Sequence, residues 1–104
     1  MKQSLLALAG LGILASSAFA ADAKKGAEVF EANCGVCHNA TSTETKMGPG
    51  LKGLFKKDKL VNGKKPSDAT VREKIDEGGN GMPAYKDILS DQEKDDLIAY
   101  LKTL

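Results

Sequence analysis

Tryptophan is missing from this 104-residue chain, histidine occurs once and cysteine twice. Aromatics are few: beyond residue 20 only Phe30, Phe55, Tyr85 and Tyr100 remain. So little bulk buries little apolar surface, and a small domain of this kind needs a staple: a metal, disulfides or a bound group. Cys34 and Cys37 exclude the disulfide answer, because a loop of that size hardly constrains the unfolded chain. No stretch alternates apolar and polar residues for long enough to form a strand, which leaves an all-α chain. Charge of one sign is lacking too: 15 Lys and Arg stand against 14 Asp and Glu, with a pI of about 7.7. No basic stripe carries interleaved aromatics, so nucleic-acid binding is excluded. Beyond residue 20 no apolar run could span a bilayer. There are no repeats and no linker, so one small domain is expected.

What is present begins with a leader. Lys2 gives a positive start, "LLALAGLGIL" (5–14) an apolar centre, and "ASSAFA" (15–20) a small-x-small ending at Ala18-Phe19-Ala20. This pattern is a secretory signal peptide over 1–20, cleaved before Ala21. The apolar run is too short for a membrane anchor. The mature domain is then 21–104, exported to the periplasm and expected to be a monomer.

Three helices are legible in it. Asp22 caps the first, over 22–33, and Ala23, Ala27, Phe30 and Cys34 share one face. Gly26 lies on the same side and would let another helix approach closely. The second spans 67–77, capped by Ser67 or Thr70, with Thr70–Glu73 fitting a capping box and Gly78 as its stop. The third, 90–104, opens with a Ser90–Glu93 capping box and carries Leu97, Tyr100, Leu101 and Leu104 as one apolar stripe. Between them lie loops at 39–53 and 56–68, a helical turn near 51–55, and a glycine-rich loop "GGNGMPAY" (78–85).

The chemistry concentrates in "EANCGVCHNA" (31–40), which holds both cysteines and the only histidine. Cys34-Gly-Val-Cys37-His38 matches C-x-x-C-H, the attachment signal for c-type haem. Two thiols at that spacing reach the two vinyl groups on one porphyrin edge, and the adjacent imidazole falls beneath the iron. Thiol–disulfide exchange would need the motif to open a helix after a strand, and here a helix precedes it. Zinc needs four ligands, and no second cluster joins Cys34, Cys37 and His38. With a single histidine, the opposite face of the iron is left to methionine, lysine or nothing. Met82, 44 residues after His38 in a loop held by glycine and proline, is placed for it. Met47, nine residues on, is expected to line the pocket on the His38 side.

These blocks resemble a class I cytochrome c: "GAEVFEANCGVCH" (26–38), "GPGLKGLF" (48–55), "GMPAY" (81–85) and "LIAYLKTL" (97–104), in that order across the whole mature chain. The resemblance implies a small cytochrome c fold, three to five helices wrapped round one covalent haem c, with the N- and C-terminal helices crossing. It implies thioethers from Cys34 and Cys37, and His38 and Met82 as axial ligands. The Pro49 carbonyl would accept the other ring N–H of His38, and Gly26 and Phe30 would pack on Leu97 and Tyr100. The chain departs from the mitochondrial pattern in its length, its lack of tryptophan, and Lys56-Lys57 after "GLF". It points instead to the short periplasmic cytochromes of bacteria.

The function this implies is an electron carrier, not an enzyme, cycling between Fe(II) and Fe(III) and passing electrons between redox protein partners. The stretch 46–65, with seven lysines and one acid, is the candidate docking surface. The alternatives are a haem enzyme or ligand sensor with a labile sixth site, and a subunit docked in a larger oxidoreductase. A distal acid–base residue is missing for the former, since no second histidine exists.

Overall fold

A computed structural model describes residues 20–104. The proposed leader, up to Phe19, lies outside the described residues. The described chain holds three α-helices: α1 (Ala23–Asn33), α2 (Asp68–Glu77) and α3 (Asp91–Leu101), with one 3-10 turn at Leu54–Lys56. Among the described residues there is no strand, only an isolated bridge between Gly79 and Met82, and no helix is long and apolar enough to cross a membrane.

Each helix starts where its side chains can satisfy the free amides of a first turn. Asp22 accepts from the Lys24 and Lys25 amides at 2.9 and 3.3 Å. Ser90 and Glu93 form the expected reciprocal box. At α2 the box is Ser67 with Thr70, not Thr70 with Glu73. The Thr70 hydroxyl lies 2.9 Å from the Ser67 amide, while Glu73 points outward to Lys64. α2 stops at Gly78, whose φ of 64° suits glycine. α3 ends at Leu101, short of the expected Leu104, in a turn capped by Lys102.

α1 packs chiefly on α3. Gly26 makes this possible: a Cβ there would lie 1.9 Å from the Asp96 carbonyl oxygen and 2.8 Å from Tyr100 Cβ. One turn on, the Phe30 and Tyr100 rings meet with centroids 5.6 Å apart and planes tilted by 55°. Ala23 and Ala27, on the expected face, stay only partly buried. Gly26→Ala therefore forces the two backbones apart, since neither contact is a flexible chain end. It should lower stability by about 3 kcal/mol, the upper end of the usual overpacking cost, read as a lower denaturation midpoint at unchanged slope. A change under about 0.5 kcal/mol, the scale of an ordinary surface substitution, would show that the contact is not tight.

The buried apolar side chains are Phe30, Leu54, Val71, Ile75, Leu89, Leu97, Ile98 and Leu101. Val71 and Ile75 bring the inner edge of α2 to this set, and Leu97 is the most buried at 1% exposure. Ile98, beside Leu97 and off the predicted stripe, is also buried.

Candidate haem pocket

The core is built round a cavity of about 480 Å³ rather than a closed contact. Protein interiors keep few voids larger than a water molecule, so a cavity of this size is shaped for a bound group. Its walls are Phe30, Leu54, Val71, Ile75, Leu97 and Leu101, and into the same cavity come Cys34, Cys37, His38 and Met82.

The C-terminal end of α1 delivers the first three. The Cys34 amide still donates to the Phe30 carbonyl at 2.7 Å. The chain then curls, and the Cys37 and His38 amides both donate to the Cys34 carbonyl, at 3.1 and 2.9 Å. This turn puts both thiols and the imidazole on one short arc. Neither cysteine is in a disulfide. Burial first, and the neighbouring Cys37 second, push the Cys34 thiol up to about 11. A thiol raised that far stays protonated at neutral pH, the opposite of what thiol–disulfide exchange requires.

His38 is held from one side only. Its Nδ1 lies 2.8 Å from the Pro49 carbonyl, a contact that makes Nδ1 the protonated nitrogen and leaves the Nε2 lone pair as a donor. Gly48 lies flat against the ring: a Cβ there would come within 2.5 Å of His38 Cε1. The loop that carries Gly48 and Pro49 is tied back by the Gly48 amide to Cys37 (2.8 Å) and the Leu51 amide to Asn39 (2.8 Å). Met47 reaches Cys37, sulfur to sulfur, at 3.6 Å, and is 81% exposed.

Met82 comes from the other side of the chain. After α2, the Gly79 amide donates to the Met82 carbonyl at 2.9 Å and the Met82 amide to Gly79 at 3.1 Å. Asn80 and Gly81 turn the corner with φ of 53° and 93°. Gly78 leaves room for the return: a Cβ on it would lie 2.4 Å from the Met82 carbonyl oxygen. The segment that follows is fastened to both main parts of the core. Tyr85 donates its hydroxyl to the Asn33 carbonyl at 2.9 Å and its amide to Ile75 at 2.9 Å. Burial, then the two thiols, raise the Tyr85 phenol, so it remains a donor.

The sequence did not disclose one support of this loop. Lys94 on α3 is only 4% exposed. Its ammonium donates to the Lys86 carbonyl at 3.0 Å and lies 2.8 Å from Asp76 Oδ1. The Lys86 amide donates to the Asp76 carbonyl at 3.2 Å. The approach to Asp76 Oδ1 is off hydrogen-bond geometry, so that contact is an ion pair. Lys94→Met should cost about 2 kcal/mol, below the 3–5 kcal/mol of a fully buried pair, because the Asp76 side chain is 25% exposed. Denaturant unfolding reads this, and a neutral result would mean that the pair is dispensable.

The residues fit a haem: a sulfur pair at one end, a ring nitrogen held with its lone pair free, a thioether from a separate loop, and apolar walls. Similarity to known proteins agrees. Residues 21–101 match the family described as cytochrome c oxidase, cbb3-type, subunit III. The chain is 34% identical to cytochrome c6 of Synechocystis sp. over 97 residues, covering 93% of this chain and 78% of that protein. It is 36% identical to cytochrome c6 of a Picosynechococcus species over 101 residues, covering 94% and 86%. The fold matches the crystal structure of cytochrome c6 from the diatom Phaeodactylum tricornutum with a TM-score of 0.63 at 27% identity, over 79% of this chain and 92% of that one. On its C-x-x-C-H turn, its helical frame and these relatives, the chain belongs to the class I c-type cytochromes, small monohaem electron carriers with one covalently bound haem c.

Proposed function

We propose that the haem iron is held by His38 Nε2 and Met82 Sδ, and that the protein carries single electrons between redox proteins in the periplasm, after removal of residues 1–20. The observation that carries this reading is that His38 and Met82 line one cavity from two separately braced loops. The bound haem supplies the one-electron Fe(II)/Fe(III) couple; a soft thioether opposite an imidazole favours the ferrous state. The chain's own part is to keep these groups where they are. Pro49 fixes the imidazole tautomer, Gly48 backs its ring, and the Tyr85 and Lys94 contacts hold the Met82 loop closed. Apolar walls exclude water, so neither oxidation state demands rearrangement.

The haem carboxylates have counterparts as well. Lys57, Lys59, Lys74, Asn62 and Asn80 line the same cavity, and among the described residues no Asp or Glu does. Cationic and amide donors there would hold two carboxylates in place of the arginine and tryptophan that the chain lacks at this end. Reversible one-electron voltammetry, insensitive to carbon monoxide, tests the carrier reading; catalytic turnover of peroxide would contradict it.

For docking, Lys57 and Lys59 of the lysine-rich 46–65 stretch line the pocket together with Val61 and Met47, each 81% exposed. Attraction of this patch to an acidic partner would make association faster at low salt. The rate of reduction by such a partner should fall at least severalfold between about 0.01 and 0.15 M ionic strength, where the Debye length shrinks from about 30 to 8 Å. A flat salt profile would remove the patch from the docking surface. A subunit role is the second reading, favoured by the oxidase-subunit family that residues 21–101 match; co-purification with an integral oxidase would select it.

A further inference from the structure

Asp96 is a carboxylate on α3 with 3% exposure. Its Oδ1 accepts from the Asp22 amide at 2.8 Å and from Gln92 Nε2 at 2.9 Å. Both donors are neutral, and among the described residues no Lys or Arg forms an ion pair with it. Buried charges are normally paired, because removal from water is costly. The nearby charges are already matched. Arg72 on α2 pairs with Asp91 and Asp95 at 2.8 and 2.7 Å, and Lys102 with Asp68 at 2.7 Å. The Asp22 carboxylate is turned to its own helix, on the Lys24 and Lys25 amides.

The segment lying on Asp96 is the junction of leader and mature chain. Asp22 supplies one of its donors, and Gln92 Nε2 also reaches the Ala20 carbonyl at 3.5 Å. Ala21, between them, edges a depression of about 560 Å³ shared with Arg72, Asp95 and Lys102. We infer that removal of the leader creates the partner Asp96 lacks: the new α-ammonium of Ala21 pairs with the Asp96 carboxylate and fastens the start of α1 to α3. The inference rests on the leader reading above. Hydrolysis by a leader peptidase breaks the Ala20–Ala21 amide; water's hydroxyl goes to the Ala20 carbonyl carbon and a hydrogen to the Ala21 nitrogen. That amine takes up a further proton at neutral pH. The pairing sits one turn before Gly26, whose backbone already rests on the Asp96 carbonyl. Closure of the α1–α3 contact is thus completed only in the processed, exported chain.

A free α-amine titrates at about 7.7–8.0; pairing raises its folded-state pKa. The added stability is present below the unfolded value and is lost as pH rises through the folded one. The charged groups that share the depression with Ala21 are Asp95 and Lys102 from α3 and Asp68 and Arg72 from α2; Asp96 reaches this segment through the Asp22 amide, and all but Asp96, Asp22 included, are matched as described.

The test uses the haem-loaded mature protein. Mass spectrometry first locates its N-terminus; a chain that does not begin at Ala21 overturns the inference together with the leader reading. For a chain that does begin there, unfolding is compared with the α-acetylated form, each with Asp96 and with Asp96→Asn. Acetylation should raise the unfolding equilibrium constant about tenfold with Asp96, the equivalent of one pKa unit, and leave the Asp96→Asn protein unchanged. An equal effect in both backgrounds, or none in either, overturns the pairing and leaves the leader reading standing. Should Asp96→Asn fail to fold, isotope-labelled Ala21 in the unsubstituted protein decides: titration of its amine clearly above 8 supports the pairing, and titration at the ordinary value overturns it.

Discussion

Cys34→Ala or Cys37→Ala should abolish stable haem retention and leave a largely unfolded chain. The magnitude follows from the core. Among the described residues eight apolar side chains are buried, and six of them line a cavity of about 480 Å³. Without a bound group those apolar walls face water, and the burial and packing contacts that a filled core supplies are lost. A small domain has about 5–15 kcal/mol of total stability, so the fold does not survive the loss of its filler. The two substitutions differ in degree. Cys34 continues the backbone of α1 and packs against the core, so its loss also loosens the end of that helix. Circular dichroism of the expressed variants checks this. A compact, helical protein without haem would show that the polypeptide core is sufficient by itself and would contradict the staple argument.

Met82→Ala should leave the haem attached, open the sixth coordination position to carbon monoxide, and lower the midpoint potential by a substantial part of the roughly 0.8 V range that axial ligands span. Cys34, Cys37 and His38 belong to the α1 end of the structure, whereas Met82 is held by the Gly79 turn and the Tyr85 contacts. The two halves of the site are therefore separable, and removing the thioether does not remove the ring. Potentiometric titration with a carbon monoxide difference spectrum reads both effects. An unchanged potential and no carbon monoxide binding would mean that another group, a lysine from the 57–74 rim, occupies the iron.

The elements most legible in the sequence are those set by local chemistry. The Ser90–Glu93 box, the Asp22 cap and the stop at Gly78 each depend on residues within one turn, and each is found. The arc from Cys34 to His38 is legible because C-x-x-C-H is a contiguous pattern whose turn closes on the Cys34 carbonyl. What escaped depends on partners distant in the chain. Lys94 and Asp96, in the acidic "SDQEKDD" run, carry no apolar pattern that would mark them as buried, yet both are buried; Lys94 because it faces Asp76 and Lys86, Asp96 because α1 lies over it through Gly26. Thr70 offered two capping partners, and Ser67 won because Glu73 is drawn away to Lys64. Ile98 fell off the predicted stripe because burial here wraps round two sides of α3, one toward α1 and one toward α2.

The most direct measurement of the central claim is the absorption spectrum of the purified protein, oxidised and reduced. The expected result is a low-spin c-type spectrum with sharp reduced bands, haem retained through denaturing electrophoresis, and in the oxidised form a weak long-wavelength methionine-to-iron charge-transfer band that vanishes in Met82→Ala. A high-spin spectrum, or a low-spin one without that band, would contradict the His38–Met82 site.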